Sequence, residues 1–140
     1  MANKNFLDIQ NGNFLLIKEL EITPKTTYSV LREHFPNNEI WEVGTGYYWL
    51  YFYDYAFEDK LFNISFCFKG EQLESLCFCM NDRYTSWEDW SEEYELQTEK
   101  YYKQWLTSHI GDKRSFDWGS IDAHYDRKGG RTAIWLSYKI

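Results

Sequence analysis

The sequence predicts an α+β fold: one curved antiparallel β-sheet of about six to eight strands, with two helices packed on one face. The first observation is the stretch from Ile40 to Met80, which is rich in β-forming residues and interrupted only by short turn signals. Short connections of this kind favour antiparallel pairing. The second observation is a helix signal on each side of that stretch. If both helices cover one face, the other face is open to solvent or to a partner.

The N-terminal segment predicts a β-hairpin followed by a helix. An Asn-Gly-Asn turn at residues 11–13 separates two short apolar runs, residues 6–9 and 14–17. Thr23 and Pro24 are typical of the cap and the first residue of a helix, and Pro36 should end that helix. We expect its buried side to carry Tyr28, Val30, Leu31 and Phe35.

The central segment, Ile40 to Met80, predicts about four strands, first interrupted at residues 44–46, and the three clearest are Tyr47–Tyr55, Leu61–Phe68 and Leu73–Met80. In the first strand, aromatic side chains recur at a spacing of two and share one face if the strand is regular. They are Tyr47, Trp49, Tyr51, Tyr53 and Tyr55. Tyr48, Leu50 and Phe52 alternate with them and form the expected core side. Such a row is either an exposed binding patch or a cross-strand ladder that stabilises the sheet.

The C-terminal half predicts a long helix and then a second hairpin. The helix should run from Trp87 to His109 and stop at Gly111, after a weak capping signal at Ser86. We expect one face of it to carry Trp90, Tyr94, Tyr101 and Trp105. The hairpin should pair Phe116–Tyr125 with Thr132–Ile140 across a Gly-rich loop.

Composition restricts the partner without naming a function. The 140 residues suit a single domain, 1–140, and the aromatic content of 21% is high. The net charge of −7 argues against a nucleic-acid binder and suits a basic partner. The chain shows neither a signal peptide nor an apolar run of membrane-spanning length, so we expect a cytoplasmic protein without a membrane partner. Cys67, Cys77 and Cys79 lack metal-ligand spacing and are interpreted as packed free thiols.

The strongest candidate for catalysis is a row of ionisable residues in the last hairpin. Asp122, His124 and Asp126 share one face of a strand, and two carboxylates beside an imidazole could serve acid–base chemistry or hold a metal. Successive same-face residues lie roughly 6.5–7 Å apart, however, so three in a row reach a common metal poorly. We therefore expect neither an enzyme nor a metal or cofactor site, and we interpret the row as part of a polar sheet face.

The last hairpin also predicts a candidate binding face. A four-residue loop, 127–130, would set Asp126 opposite Arg131, His124 opposite Ala133 and Asp122 opposite Trp135. The apolar alternate residues would then face the helices. The solvent face would carry Trp118, Asp122, His124, Asp126, Arg131 and Trp135. Tryptophan among charged residues is typical of a protein-binding surface, although loops could equally half-cover these rings.

Negative charge is concentrated in one segment. Residues 82–99 hold seven acidic side chains against Arg83 alone, which leaves the rest of the chain nearly neutral. Four glutamates recur at spacings of 4, 3 and 4 and form a stripe on the long helix: Glu88, Glu92, Glu95 and Glu99. The stripe is either a solvated helix face or a surface that attracts a basic partner.

Several segments resemble small bacterial immunity proteins, which are encoded beside polymorphic or contact-dependent-inhibition toxins. The resemblance covers most of the chain but consists of turn and cap residues. It involves the helix start at residues 22–27, the segment 85–92, the helix end at Trp105-Leu106, and the closing-hairpin segments 116–121, 125–130 and 134–138.

The resemblance implies a cytoplasmic, non-catalytic inhibitor that binds one cognate toxin domain. Because many such proteins bind basic nuclease toxins, a basic nuclease is the expected partner. An acidic protein can be steered onto the cationic cleft of such a toxin. The expected partner-binding residues are Glu88, Glu92, Glu95, Glu99, Trp118, Asp122, His124, Asp126 and Trp135. The alternative is a small-molecule-binding module with an aromatic-lined pocket.

Overall fold

The computed structural model describes residues 5–81 and 91–139. Within those residues the elements are α1 (Tyr28–His34), β1 (Ile40–Glu42), β2 (Tyr47–Phe57), β3 (Lys60–Lys69), β4 (Gln72–Met80), α2 (Glu92–Ile110), β5 (Ser115–Phe116), β6 (Gly119–Asp126) and β7 (Arg131–Tyr138). The strands form one antiparallel sheet in the order β1-β2-β3-β4-β7-β6-β5. The predicted α+β fold is therefore confirmed.

Both described helices pack on the same face of the sheet, which carries the core. On α2, the Trp105 ring packs against Phe62 and Phe78, which point to that face from β3 and β4. On α1, the Tyr28 ring stacks on Tyr48 of β2 at a centroid distance of 4.6 Å. Alternation in the strands supplies the rest of this layer, since Leu50, Phe52, Ile64, Phe66, Phe68, Leu76, Ile121, Ala123, Ile134 and Leu136 are all buried.

The N-terminal segment does not form the predicted hairpin strands. Isolated bridges join Leu7 to Phe14 and Phe14 to Ile22, and no described residue before Ile40 lies in the sheet. The apolar residues of this segment instead cover the core as an irregular layer: Phe6 and Phe14 pack against Phe78, for example. The turn around Gly12 is present, because the amide of Gly12 donates to the carbonyl of Asp8.

Both helices end where the sequence predicts, but they begin later. Thr27, rather than Thr23, caps α1 by accepting from the amide of Val30, and the helix ends at His34, with Phe35 as the C-cap before Pro36. Ser91 caps α2 by accepting from the amide of Tyr94, and Gly111 ends it with a φ of 82°. The predicted cap at Ser86 and the segment 87–90 lie outside the described residues.

The predicted buried side of α1 is only partly right, and the aromatic residues expected on one face of α2 are not all on its packing side. Val30 of α1 and Tyr94 and Tyr101 of α2 are exposed. The side of α2 that packs on the sheet carries Glu95, Thr98, Tyr102, Trp105, Leu106 and Ile110. The packing side of α2 thus begins with polar residues, which the aromatic periodicity did not indicate.

A bulge in β2 changes the predicted aromatic row. The pairing with β3 shifts between Phe52 and Tyr55, and Asp54 takes a φ of 60°. Because the extra residue reverses the alternation, Tyr55 turns to the core side, where its ring contacts Phe52. Its hydroxyl donates to Glu19 at 2.6 Å. The prediction that Tyr55 shares a face with Tyr47 is therefore wrong.

Trp118 also lies on the core side, contrary to the prediction. Its ring stacks on Phe116 at 5.0 Å, contacts Tyr138, and its Nε1 donates to the carbonyl of Ile9 at 2.9 Å. Trp118 precedes β6, so the alternation of that strand does not extend to it. The indole instead closes the gap between the last hairpin and the turn at Gly12.

The close approach of Trp118 to Gly12 predicts a large cost for a side chain there. A Cβ on Gly12 would lie 2.5 Å from Cδ2 of the indole, whereas a Cβ on Gly44 would meet nothing within 4 Å. Both glycines have positive φ, so the two alanine variants share the backbone strain. We expect Gly12→Ala to lower the unfolding free energy by about 1–3 kcal/mol more than Gly44→Ala does.

Urea denaturation of the two variants and the unaltered protein measures this difference. Equal losses of stability in Gly12→Ala and Gly44→Ala would mean that the indole does not pack on the turn as described.

Candidate protein-binding face

The face of the sheet opposite the two described helices is the candidate functional site, and we call it the open face. Register places one row of side chains across five strands of this face: Tyr51, Ser65, Cys77, Trp135 and Asp122. The neighbouring row consists of Trp41, Trp49, Cys67, Ser75, Ser137 and Ser120. Aromatic rings thus stand on β1, β2 and β7, and the small side chains of β3 and β4 lie between them.

This arrangement makes a trough, which we define by its floor and its two walls. The floor is formed by the small side chains of β3 and β4, namely Ser65, Cys67, Ser75 and Cys77. One wall is formed by Trp49 and Tyr51 of β2 with Trp41 of β1, and the other by Trp135 of β7. The floor is only partly accessible, since Cys67 is buried and Ser65, Ser75 and Cys77 are half-buried, so a partner would contact chiefly the rings of the walls.

Three groups on the open face keep their protons at physiological pH: the phenols of Tyr51 and Tyr53 and the thiol of Cys77. The hydroxyl of Tyr53 donates to Glu39, and this hydrogen bond raises the pKa of Tyr53 to about 12. Burial raises the pKa of Tyr51 and, more strongly, that of the Cys77 thiol, to about 12. Phenol and thiol protons are therefore kept, and the face presents neutral hydrogen-bonding groups whose nearby charges come from carboxylates such as Glu39.

The predicted acidic stripe does not form a solvated surface. Glu95 is fully buried, where its carboxylate accepts from the Thr132 amide at 2.9 Å and its carbonyl accepts from the Thr132 hydroxyl at 2.9 Å. Glu99 accepts from the amide of Tyr125 at 2.8 Å. Glu92 is exposed and accepts from the Tyr125 hydroxyl at 3.3 Å, while Glu88 lies outside the described residues.

These contacts give the glutamates a structural role that the sequence pattern did not reveal. β7 pairs with β4 only as far as Ile134 with Phe78, so the amide of Thr132 lies beyond the paired stretch. Glu95 accepts that amide in place of a neighbouring strand. The expectation that Glu95 and Glu99 meet a partner is corrected here, because both carboxylates are used to fasten α2 to the β6–β7 hairpin.

The final hairpin pairs in the predicted register, with Asp126 opposite Arg131, His124 opposite Ala133 and Asp122 opposite Trp135. Its charged residues nevertheless do not act together. Asp126 closes the loop by accepting from the amide of Lys128 at 3.0 Å. The carboxylate of Asp122 turns to the sheet edge, where Lys103 and Arg114 each approach it at 3.8 Å.

Of the predicted partner-binding residues, His124 and Trp135 therefore remain on the open face without a described structural task. His124 is exposed and Trp135 is half-buried. Among the described residues, no group of three His, Cys, Asp or Glu side chains is placed to hold a metal ion. The three residues of this row therefore have separate environments. Asp122 lies near Lys103 and Arg114 at the sheet edge, His124 is exposed, and Asp126 accepts a hydrogen bond within the hairpin loop.

The trough itself was only half visible in the sequence. The sequence predicts the aromatic row of β2 but not its position beside the small side chains of β3 and β4. The signal in the sequence is the alternation of small with large residues in β3, where Ser65 and Cys67 alternate with Ile64, Phe66 and Phe68. The three cysteines are free, as predicted, and they lie on this face.

A cleft on the other side of the molecule bears on the small-molecule alternative. It has a volume of about 420 Å³ and is lined by Asn5, Leu15, Leu16, Ile17, Lys18, Glu21 and Phe57. Phe57 is the one aromatic residue in that lining, whereas the alternative expected an aromatic-lined pocket.

Neither described helix is apolar and long enough to cross a membrane.

The buried glutamate predicts a stability difference within the stripe. Glu95→Ala removes the acceptor of the Thr132 amide from a site without solvent, so we expect the unfolding free energy to fall by about 1.5–3 kcal/mol. Glu92→Ala, on the exposed turn of the same helix, should change it by less than about 0.5 kcal/mol. Chemical denaturation of both variants is the measurement. Similar losses at the two positions would contradict the docking of α2 through Glu95.

The trough floor predicts an unreactive cysteine. Because the thiolate is the nucleophile and burial holds the pKa of Cys77 near 12, against an ordinary value of 9.0, its thiolate fraction at pH 8 is lowered. We expect iodoacetamide to alkylate Cys77 at least about a hundredfold more slowly in the folded protein than in guanidinium chloride. Mass spectrometry of the Cys77 peptide over time gives both rates, and equal rates would show that the Cys77 thiol is not buried.

Comparison of the chain with protein-family models, with curated proteins and with solved structures gave no match. A function can therefore be inferred only from the chain's own residues and their arrangement.

Proposed function

We propose that this chain is an immunity protein: a cytoplasmic, non-catalytic inhibitor that binds a basic bacterial toxin domain one to one through the open face. The observation that carries the proposal is the trough, in which rings on β2 and β7 flank the small side chains of β3 and β4. Aromatic residues in such positions contribute a large share of the binding energy in protein interfaces.

The two faces of the sheet are covered to different extents, and this difference supports a protein partner. Both described helices and the N-terminal layer pack on the core face, so the rings on the other face have no described helix above them. Trp41 of the trough wall is 57% exposed. Tyr53, two residues beyond Tyr51 in β2, is 54% exposed. Large exposed rings grouped on one face are typical of interaction surfaces rather than of isolated surface residues.

Charge supports a basic partner. The chain has a net charge of −7. Burial raises the pKa values of Tyr51 and Cys67, and the nearby carboxylates of Glu39 and Glu74, respectively, raise them further. A negative field around neutral, aromatic groups attracts a cationic surface and speeds its encounter. Since Glu95 and Glu99 are used internally, we assign this steering to the carboxylates around the open face and to exposed Glu92 and Glu93.

Substitutions in the two walls test the proposal. Trp49→Ala and Trp135→Ala should each weaken binding of the toxin domain by about thirtyfold or more, because each removes an aromatic anchor. Both variants should keep the fold, since their side chains lie opposite the core. Tyr101→Ala is the matched control, because this exposed ring on α2 lies away from the open face.

The measurement is survival of cells that express the toxin gene adjacent to this one, together with titration of the two purified proteins. Loss of protection by both wall variants, with the control unchanged and all three proteins folded, supports the proposal. Full protection by both wall variants, or the absence of any toxic product from the adjacent gene, would overturn it.

A further inference from the structure

The two edges of the sheet differ in whether their outward backbone groups have hydrogen-bond partners. On the outer side of β6, the amides of Ile121, Ala123 and Tyr125 all have acceptors: the carbonyl of Arg114 at 2.9 Å, Asp122 at 2.8 Å and Glu99 at 2.8 Å. An edge whose donors are satisfied in this way offers little to another strand.

The opposite edge, β1, has no such protection. The amide of Tyr51 donates to the carbonyl of Glu39, and that of Val43 donates to the carbonyl of Tyr47, each at 3.0 Å. Because antiparallel bonding alternates along a strand, Ile40 and Glu42 direct their N–H and C=O groups away from β2. No described residue bonds to these outward groups.

The side chains of this edge are unusually apolar for a position in solvent. Ile40 is 39% exposed and Val43 is 38% exposed, on either side of the exposed Trp41. β1 is short and carries Glu42, but it lacks the lysine, proline and bulge with which natural edge strands commonly discourage pairing. Trp41 also belongs to the trough wall, so the edge and the open face form one continuous surface.

We propose that β1 pairs with an extended, basic segment of the partner protein, which adds a further strand to the sheet. Main-chain bonds to Ile40 and Glu42 would hold the segment, as in other cases of strand addition. On the open-face side its alternate side chains would lie beside Trp41 and Val43. This inference rests on the proposed function, because it names the part of the same partner that lies at the edge of the trough.

Charge and length favour this occupant over a second copy of the chain. Two copies paired along β1 would each bring a charge of −7 and would place the carboxylates of Glu39 and Glu42 from both chains along one seam. A three-residue strand is about 10 Å long, which is a short seam for two copies that share no other contact. A segment with lysine or arginine instead neutralises these carboxylates, and its parent domain is held by the trough as well.

The test uses a synthetic seven-residue peptide that alternates lysine with valine and threonine, added to the full chain and followed by amide NMR spectra. We expect saturable shifts centred on the amides of Ile40 and Glu42. A fully N-methylated peptide of the same sequence cannot form strand bonds and should not produce them. A peptide with glutamate in place of lysine should bind at least about fivefold more weakly.

Two variants separate the amide from the charge. Glu42→Pro removes an outward donor but leaves the bonds of Glu39, Trp41 and Val43 to β2, so it should abolish peptide binding while the sheet persists. Glu42→Gln keeps the donor and should weaken binding severalfold only. If Glu42→Pro fails to fold, the comparison of plain and N-methylated peptides on the unaltered protein still decides the question.

Three results would overturn the proposal: shifts that the N-methylated peptide reproduces, equal binding of the acidic peptide, or no shifts at Ile40 and Glu42. A concentration-dependent dimer in sedimentation, lost in Glu42→Pro, would also overturn it in favour of a second copy. These outcomes are independent of the survival test, because a chain whose β1 binds no peptide but which protects cells through Trp49 and Trp135 keeps the proposed function.

Discussion

The two-residue alternation of β3 and β4 is the constraint on which the rest of the structure depends. In β3, Phe62, Ile64 and Phe66 point to one side and are buried, while Ser65 and Cys67 point to the other. Large apolar side chains on one face require a cover, and the described helices and N-terminal layer supply it there. Small side chains on the other face leave a floor between the rings of β2 and β7. The core and the trough therefore follow from the same pattern in the central strands.

The cover is held in place by buried polar contacts as well as by apolar packing. Trp105 and Leu106 give α2 its apolar contact with the sheet, but the N-terminal turns of the helix meet the β6–β7 hairpin through Glu95 and Glu99. A buried carboxylate that accepts a backbone amide is costly to replace with a group that cannot accept. The acidic character of this helix is thus in part a consequence of docking rather than of binding.

Carboxylates also explain the difference in hydrogen bonding between the two sheet edges. Glu99 and Asp122 bond to amides of β6 and so close one edge, whereas no described carboxylate or carbonyl approaches the outward groups of β1. An unprotected apolar edge is a liability for a free protein because it invites pairing with other chains. Its position beside the trough makes it part of one surface that a basic partner could cover, which is the common physical basis of both proposals.

The sequence by itself determined the features that depend on neighbouring residues. Strand alternation predicted which side of the last hairpin is apolar, the Gly-rich loop predicted the pairing of Asp126 with Arg131, and Pro36 and Gly111 predicted where the helices end. In each case the cause is local geometry: a period of two, a loop of defined length, or a residue that cannot continue a helix.

Only the tertiary structure decided which side chains remain available to a partner. The bulge at Asp54 turns Tyr55 to the core side. The ring of Trp118 packs against Gly12, and the carboxylate of Glu95 accepts the amide of Thr132, which has no partner on a neighbouring strand. Glu95 and Thr132 are 37 positions apart, and Trp118 bonds to a carbonyl 109 positions away. Periodicity along one element cannot indicate such contacts, because a charged or aromatic residue with helical or strand spacing suits solvent and a distant unpaired amide equally well.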